Sequence, residues 1–291
     1  MTRRLIDGCD AILADLDGVV YAGPGAISEA PESLERAKSE GVPVMFVTNN
    51  ASRAVETVAE HLSELGVATR GEDVVSSAQA AAQLLSDRLP AGSRVLITGA
   101  QALSDYIAEA GLTPVSSQHD DPVAVVQGFD PEIGWSDLAE AAYTLADASV
   151  LWIATNTDGS IPRERGIAPG NGTLVDAVAR ATGRTPEVAG KPVAPIFRTG
   201  AQRLGAQRPL VIGDRLDTDI LGGNRAGFAT ALVLTGVHGL AGVADDPSGG
   251  RTAFVVVTDR APADGELDAR VRVDRIAAAL GACRCGVGSA S

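Results

Sequence analysis

Two carboxylates stand two residues apart in Asp15-Leu16-Asp17-Gly18-Val19-Val20-Tyr21, directly after the apolar run Ala11–Ala14. Such a run predicts a strand, and carboxylates crowded at a strand's carboxyl end repel each other unless something positive lies between them. Ligands in open parallel α/β sheets bind at that edge. Gly18 permits a sharp turn and a close approach of backbone. A plainer purpose is also open to these residues, a strand-ending turn whose aspartates cap the segment that follows.

Three further clusters stand at or just beyond the end of a strand or at the start of a helix. Val47-Thr48-Asn49-Asn50 ends the next strong apolar run, where Thr48 can donate its hydroxyl, and Asn49 its backbone N–H, to a phosphate oxygen. The helix expected after it adds unpaired N–H groups and partial positive charge; simple capping by Asn50 or Ser52 is the alternative. Gly190-Lys191-Pro192 precedes another helix, and Lys191 is one of two lysines in the chain. A lysine retained in so arginine-rich a protein hints at a need for a compact ammonium, although a surface lysine is the default. Ile212-Gly213-Asp214-Arg215-Leu216-Asp217-Thr218-Asp219 repeats the first arrangement at the end of Pro209–Ile212. Its oxygen donors suit Mg²⁺, while Asp217 and Asp219 could instead cap the next helix.

These clusters need a rigid scaffold, and the chain predicts one. Strands are expected at Ala11–Asp15, Val42–Thr48, Arg94–Thr98, Val123–Gly128, Val150–Thr155, Pro209–Gly213, Ala229–Thr235 and Ala253–Thr258. Several are apolar almost throughout, as strands covered on both faces are. Helices are expected at Arg53–Leu65, Ser77–Leu89, Ala102–Ala110, Ser136–Ala146, Gly172–Ala181 and Ala194–Leu204, with Gly66, Gly111 and Gly183 as stop signals. The alternation predicts a parallel sheet flanked by helices. Gly71–Ser76 and Thr185–Pro192 read as linkers around a segment able to form a domain of its own.

Composition removes whole classes of function. A net charge of −13 opposes binding to nucleic acid or to an anionic membrane, and requires a local positive pocket for any anionic substrate. No apolar run approaches the roughly 20 residues needed to cross a bilayer. Asp7, Asp10, Asp15 and Asp17 break the stretch after Arg3 and Arg4, which is therefore not expected to be a signal peptide. With 3% aromatic residues, the core must rest on Val, Leu, Ile and Ala. Cys9 stands apart from Cys283 and Cys285, whose C-x-C spacing in a Gly/Ser-rich tail fits either a metal pair or a frayed end. A reducing cytoplasm fits this usage.

In their order, the four clusters resemble the four motifs of the haloacid dehalogenase (HAD) superfamily. That resemblance implies an α/β fold with a Rossmann-like parallel-sheet core and a large α/β cap inserted between the second and third motifs. It implies Asp15 as nucleophile, Asp17 as general acid and base, and Thr48, Asn49 and Lys191 as holders of the phosphoryl group. Mg²⁺ would lie between the Asp15 carboxylate, the Asp17 backbone carbonyl and Asp214, with Asp219 steadying its water shell. An aspartate at Asp17 points to phosphate chemistry, since dehalogenases lack an acid there. The long interval between Asn50 and Lys191, with Thr48-Asn49-Asn50-Ala51-Ser52-Arg53, Ile153-Ala154-Thr155-Asn156-Thr157-Asp158 and Pro169-Gly170-Asn171-Gly172, resembles subfamily IIA, the NagD and p-nitrophenyl phosphatase branch. Val19 departs from the Thr common in relatives, and Val237–Ala269 departs from the usual ending.

On this reading the core is expected over 1–76 and 190–280, the cap over 77–189 and a flexible tail over 281–291. Asn156, Asp158 and Arg163–Arg165 are the expected cap contacts to substrate. The implied activity is hydrolysis of a small phosphate monoester, glycerol 3-phosphate or 2-phosphoglycolate first, with nucleotides and pyridoxal phosphate next. A phosphotransferase and a non-catalytic binding module are the alternatives, and the intact Asp15, Asp17, Lys191 and Asp214 speak against the second. Relatives often dimerise through the cap, so a homodimer is also an expectation.

Overall fold

A computed structural model describes residues 6–163, 165–236 and 252–256. Expectations for the 281–291 tail, for Cys283 and Cys285, for most of 237–269 and for the Arg163 side chain lie outside the described residues. In chain order the elements are β1 (Ala11–Ala14), β2 (Tyr21–Ala22), β3 (Gly25–Ala26), α1 (Ala30–Ser39), β4 (Val44–Thr48), α2 (Val55–Glu64), β5 (Val74–Ser76) and α3 (Ser77–Ser86). Next come β6 (Arg94–Thr98), α4 (Gln101–Glu109), β7 (Thr113–Val115), β8 (Ala124–Gln127), α5 (Trp135–Thr144), β9 (Leu151–Ala154), β10 (Ser160–Arg163), β11 (Gly166–Pro169), α6 (Asn171–Thr182) and β12 (Glu187–Val188). The chain continues through α7 (Ala194–Arg203), β13 (Pro209–Gly213), α8 (Leu221–Ala226), β14 (Ala229–Val233) and β15 (Thr252–Val256).

Two compact units result. Among the described residues, the first is built from 6–47, 59–74, 197–236 and 252–256, the second from 48–58, 75–163 and 165–196. In the first unit the sheet order is β15-β14-β13-β1-β4-β5, and every pairing from β15 to β4 is parallel. β1 and β13, central in that order, are buried along their whole length, which is why their sequences are apolar without alternation. The core here is aliphatic apart from Phe46 and Phe197 among its largest fully buried side chains. A Cβ at Gly222 of α8 would fall 2.3 Å from the Phe197 ring, so the missing side chain is what lets that helix pack this tightly.

In the second unit a five-stranded sheet of order β12-β9-β8-β6-β7 is parallel throughout. Leu96, Val125 and Trp152 from its strands pack with Ala141, Leu145, Val175 and Val178 from α5, α6 and the turn after α5. Local chemistry sets the helix ends. Ser76 accepts from the Gln79 N–H, and the Gln79 side chain answers at the Ser76 N–H, a capping box that starts α3. Gly183 ends α6 in the left-handed conformation, φ +70°. β10 and β11 form a separate antiparallel hairpin.

The α/β class and the parallel sheets match the sequence expectation. Gly71–Ser76, where the chain passes from the first unit to the second, is more structured than a plain linker. It holds a short 3-10 turn and then β5, fully buried, and Thr185–Pro192 likewise contains β12.

Candidate active site

In the first unit, parallel register sets Ala14 of β1 beside Ile212 of β13, and the Asp15 N–H donates to the Ile212 carbonyl at 2.8 Å. Asp15 and Asp214, each just past its strand, therefore leave the sheet at one edge. The segment after Asp214 winds into a π-helical turn, Leu216–Ile220, a local form found disproportionately at functional sites. That turn returns Asp219 to the strand ends. One carboxylate oxygen from each of Asp15, Asp214 and Asp219 lies within 4.8 Å of the other two. Asp214 and Asp219 are 2% and 1% exposed.

Three carboxylates gathered this closely, two of them buried, repel strongly unless a cation joins them. An all-oxygen set of this size fits Mg²⁺, which binds through a few carboxylates and keeps waters besides. Asp15, Asp214 and Asp219 would hold it. Asp219 thus stands beside Asp15 and Asp214 in the cluster itself. The Asp17 side chain is exposed, and the sequence expectation at the metal concerned its backbone carbonyl. Asp217 turns outward to the Arg215 guanidinium, at 2.7 and 3.1 Å. Neither aspartate is an ordinary helix cap: the Asp219 carboxylate accepts from the Arg215 N–H at 3.2 Å inside the π-helical turn.

Space for these carboxylates comes from glycine. Gly18 has φ +78°, and a Cβ there would fall 2.6 Å from Asp214 Cγ. A Cβ at Gly236 would fall 2.0 Å from Asp214 Oδ2, and one at Gly213 would fall 2.1 Å from Asp219 Cβ. The Thr235 hydroxyl donates to the Gly18 carbonyl and ties the turn after Asp17 to the end of β14. Sequence reading assigned no role to Gly213, Thr235 or Gly236. The available signal was the placement of Gly213 and Gly236 immediately around strands that end in chemistry.

In the second unit, Thr48, Asn49 and Lys191 are all buried. The Thr48 hydroxyl accepts from the Asn50 N–H at 3.0 Å, and its own O–H remains a donor. Asn50 receives the Ser52 N–H and hydroxyl on Oδ1, which makes a local turn and not a cap of α2. The first N–H of α2, on Val55, donates to the Tyr106 hydroxyl at 2.8 Å, so that expected anion donor is already engaged. The Asn49 carboxamide accepts the Lys191 N–H on Oδ1 at 2.7 Å and donates Nδ2 to the Lys191 carbonyl at 3.2 Å. Nδ2 also reaches Asp158 Oδ2 at 3.1 Å and Oδ1 at 3.3 Å. Sequence reading gave Asn49 only its backbone N–H.

Asn156 donates Nδ2 to the Asn49 carbonyl at 2.8 Å and accepts the Asp158 N–H at 3.1 Å. Both of its amide atoms therefore serve the scaffold. Asn171 supports it in turn, donating to the Asn156 carbonyl at 2.7 Å. Asp158 is half-buried, and Arg165 is exposed near the tip of the β10–β11 hairpin.

Comparison with known proteins gives this geometry its place. Residues 12–113 match the family described as haloacid dehalogenase-like hydrolase, and residues 188–263 match HAD-hydrolase-like proteins. The chain is 50% identical over 229 residues to the D-glycerol 3-phosphate phosphatase of Mycobacterium tuberculosis, an alignment covering 79% of this chain and 64% of that relative. It thus spans less than two thirds of that relative's length. It is 37% identical over 232 residues to an acid sugar phosphatase of Staphylococcus aureus, covering 79% of this chain and 88% of the relative. The crystal structure of the Mycobacterium tuberculosis glycerol phosphate phosphatase in complex with magnesium superposes with a TM-score of 0.83 at 45% identity, covering 88% of this chain and 76% of that one. Two parallel α/β units, a carboxylate cluster at the strand ends of one of them and these matches together make the chain a member of the haloacid dehalogenase-like hydrolases, of the NagD-like subfamily IIA with its cap inserted between the second and third motifs.

Proposed function

We propose that this protein is a Mg²⁺-dependent phosphatase of small-molecule phosphate monoesters, with Asp15 as the nucleophile. The observation that carries the reading is the trio of Asp15, Asp214 and Asp219, with oxygens within 4.8 Å of one another. A bound Mg²⁺ would supply charge that offsets the repulsion between an anionic nucleophile and an anionic ester. An oxygen of Asp15 forms a bond to phosphorus while the bond from phosphorus to the leaving alcohol oxygen breaks. Asp17 gives its proton to that oxygen. In the second half, Asp17 takes a proton from water as the water oxygen attacks phosphorus, and the bond to Asp15 breaks to release inorganic phosphate. Splitting the displacement this way replaces one difficult step with two easier ones. The Thr48 hydroxyl, the Asn49 N–H and the Lys191 ammonium hold the phosphoryl oxygens, where charge develops in the transition state.

Glycerol 3-phosphate is the first substrate in this reading, supported by the 50% identity to an enzyme named for it. 2-Phosphoglycolate follows, then nucleotides and pyridoxal phosphate. The catalytic core is assigned to 1–76 and 190–280 and the cap to 77–189. With a net charge of −13 the protein has no nucleic-acid or membrane partner in this account. Among the described residues no helix is long and apolar enough to cross a membrane. We place the enzyme in the cytoplasm, as a homodimer.

The test is phosphate release from a panel of monoesters, with Mg²⁺ and with EDTA, beside Asp15→Asn. Metal-dependent turnover that Asp15→Asn abolishes is expected, with glycerol 3-phosphate leading the panel. Folded protein that releases no phosphate from any ester would sink the reading. Phosphorylated acceptor without free phosphate would convert it to a transferase.

A further inference from the structure

The Asn49 carboxamide is the centre of a buried polar network in the second unit. Its two atoms engage both ends of one residue's backbone, the N–H and the C=O of Lys191, across 142 positions of sequence. A carboxamide accepts on its oxygen and donates from its nitrogen, so this one side chain serves both. Asn49's own carbonyl is held from two sides, by the Ser77 hydroxyl at 2.7 Å and by Asn156 Nδ2 at 2.8 Å. The packing leaves no slack. A Cβ on Gly190 would fall 2.5 Å from Asn49 Oδ1 and 2.4 Å from the Thr155 carbonyl. Gly190 N–H donates to that same carbonyl at 2.8 Å. The carboxamide also donates to Asp158, at the end of the Thr155–Asp158 turn.

We propose that Asn49 is a positioning residue for Lys191, and that Asp158, bound to the same carboxamide, makes the position of Lys191 depend on the Thr155–Asp158 turn. Fixing the N–H and C=O of Lys191 fixes its Cα and the direction in which its side chain departs. A lysine stem has four rotatable bonds, so an ammonium that must meet a phosphoryl oxygen gains most from a backbone that cannot shift. Asn49 thereby joins the second motif to the third by its side chain. Asp158 acts through Asn49 by holding the Nδ2 side of the carboxamide in place. The proposal rests on the reading that Lys191 holds the phosphoryl group.

The experiment is a double-mutant cycle on the full chain, read by p-nitrophenyl phosphate hydrolysis, orthovanadate inhibition, Mg²⁺ affinity and melting temperature. Asn49→Asp keeps an acceptor for the Lys191 N–H but turns a carboxylate oxygen toward Asp158 and the Lys191 carbonyl. It should lower kcat/KM by about 100-fold, mostly in kcat, and weaken orthovanadate inhibition in proportion. Mg²⁺ affinity should hold. Asp158→Asn alone should lower kcat/KM by less than about tenfold, because an asparagine amide can turn its oxygen toward Asn49 Nδ2. Added to Asn49→Asp, it should recover about tenfold, since its amide then donates to the new carboxylate. A merely structural role would lower melting temperature without that recovery.

Asn49→Asp with unchanged kcat/KM and orthovanadate inhibition would overturn the proposal, as would losses that multiply in the double variant. Asn49→Ser, which removes both contacts to Lys191 without adding charge, gives the same readout if Asn49→Asp does not fold. Asp15→Asn and Lys191→Ala run beside these variants. If they retain turnover, the phosphatase reading has failed. If they abolish it while Asn49→Asp behaves as wild type, only the positioning role has failed.

Discussion

Gly213→Ala tests whether the carboxylate cluster depends on an absent side chain. Gly213 ends β13, and no left-handed φ complicates the substitution. The new Cβ would stand 2.1 Å from Asp219 Cβ, whereas ordinary contact begins at 3.4 Å, so one of the two must retreat by about 1.3 Å. Asp219 Cβ cannot swing away by a rotamer change, because its position is set by backbone. The π-helical turn Leu216–Ile220 must move, and the Asp219 carboxylate moves with it. Overpacking of this kind destabilises by about 1–3 kcal/mol. For a domain of this size that lowers the melting temperature by several degrees, at about 2–4 °C per kcal/mol. The larger effect is on the site. Mg²⁺ demands near-ideal geometry at about 2.0–2.1 Å, and a misplacement of about 1 Å can lower rates about 100-fold. Titration of phosphate release against Mg²⁺ should show a right-shifted midpoint and a lower plateau. Calorimetry should show weaker metal binding. Gly25→Ala, with nothing within 4 Å of the added atom, is the control. A Gly213→Ala protein with wild-type Mg²⁺ affinity and melting temperature would refute the clearance reasoning.

Two further outcomes follow from the scaffold. Burial raises the Asp10 pKa, but the N–H groups of Gln207 and Arg208, donating at 2.9 to 3.0 Å, outweigh it and hold the carboxyl below its usual range. A carboxylate with a depressed folded pKa stabilises above its unfolded value and loses that effect as pH falls through the folded one. Asp10→Ala should therefore destabilise by about 1 kcal/mol at neutral pH, and the gap to wild type should close in acid, as urea midpoints at stepped pH will show. Arg184 donates to the carbonyls of Leu145, Asp147 and Val150 at 3.2, 2.9 and 2.7 Å and satisfies the end of α5. Arg184→Met should lower stability by about 1–3 kcal/mol in denaturant titration, and Arg184→Lys should recover less than half, because one ammonium cannot reach three carbonyls.

The parts legible in the sequence were those with strong local pattern. β1, β4, β6, β8, β9 and β13 each announced themselves by a short apolar run, and three of the runs ended in one of the four clusters. Their edges were read one residue too long at Asp15 and Thr155, polar residues just past the strand whose N–H groups still donate to the neighbouring strand. The short strands β5, β7 and β12 and the β10–β11 hairpin carry too few residues to show a period, so β5 and β12 were taken for linkers. Helix α1 was missed, its segment Ala30–Ser39 being rich in charge with Pro31 at its start. Asp15 and Asp214 were legible as strand-end carboxylates, but the gathering of Asp219 with them depends on a π-helical turn that no spacing rule announces. The bond from Asn49 to Lys191 was illegible for a different reason. Its partners are 142 residues apart, and an asparagine after a strand reads first as a cap.

The scarcity of lysine gives this protein a built-in spectroscopic window. Lys38 is held on α1 by Glu35 and the Ala68 carbonyl, with its ammonium 5.9 Å above the centre of the Phe46 ring, while Lys191 is 3% exposed. Growth on lysine labelled with ¹⁵N at Nζ would light only these two ammonium groups in the whole chain. One resonance would serve as an internal standard on a helix of the first unit. The other would report directly on the environment of Lys191, in the intact protein and without any attached dye. Buried ammonium protons exchange slowly enough to survive where exposed ones vanish, so the Lys191 signal should persist to higher pH and respond as phosphate or vanadate is added.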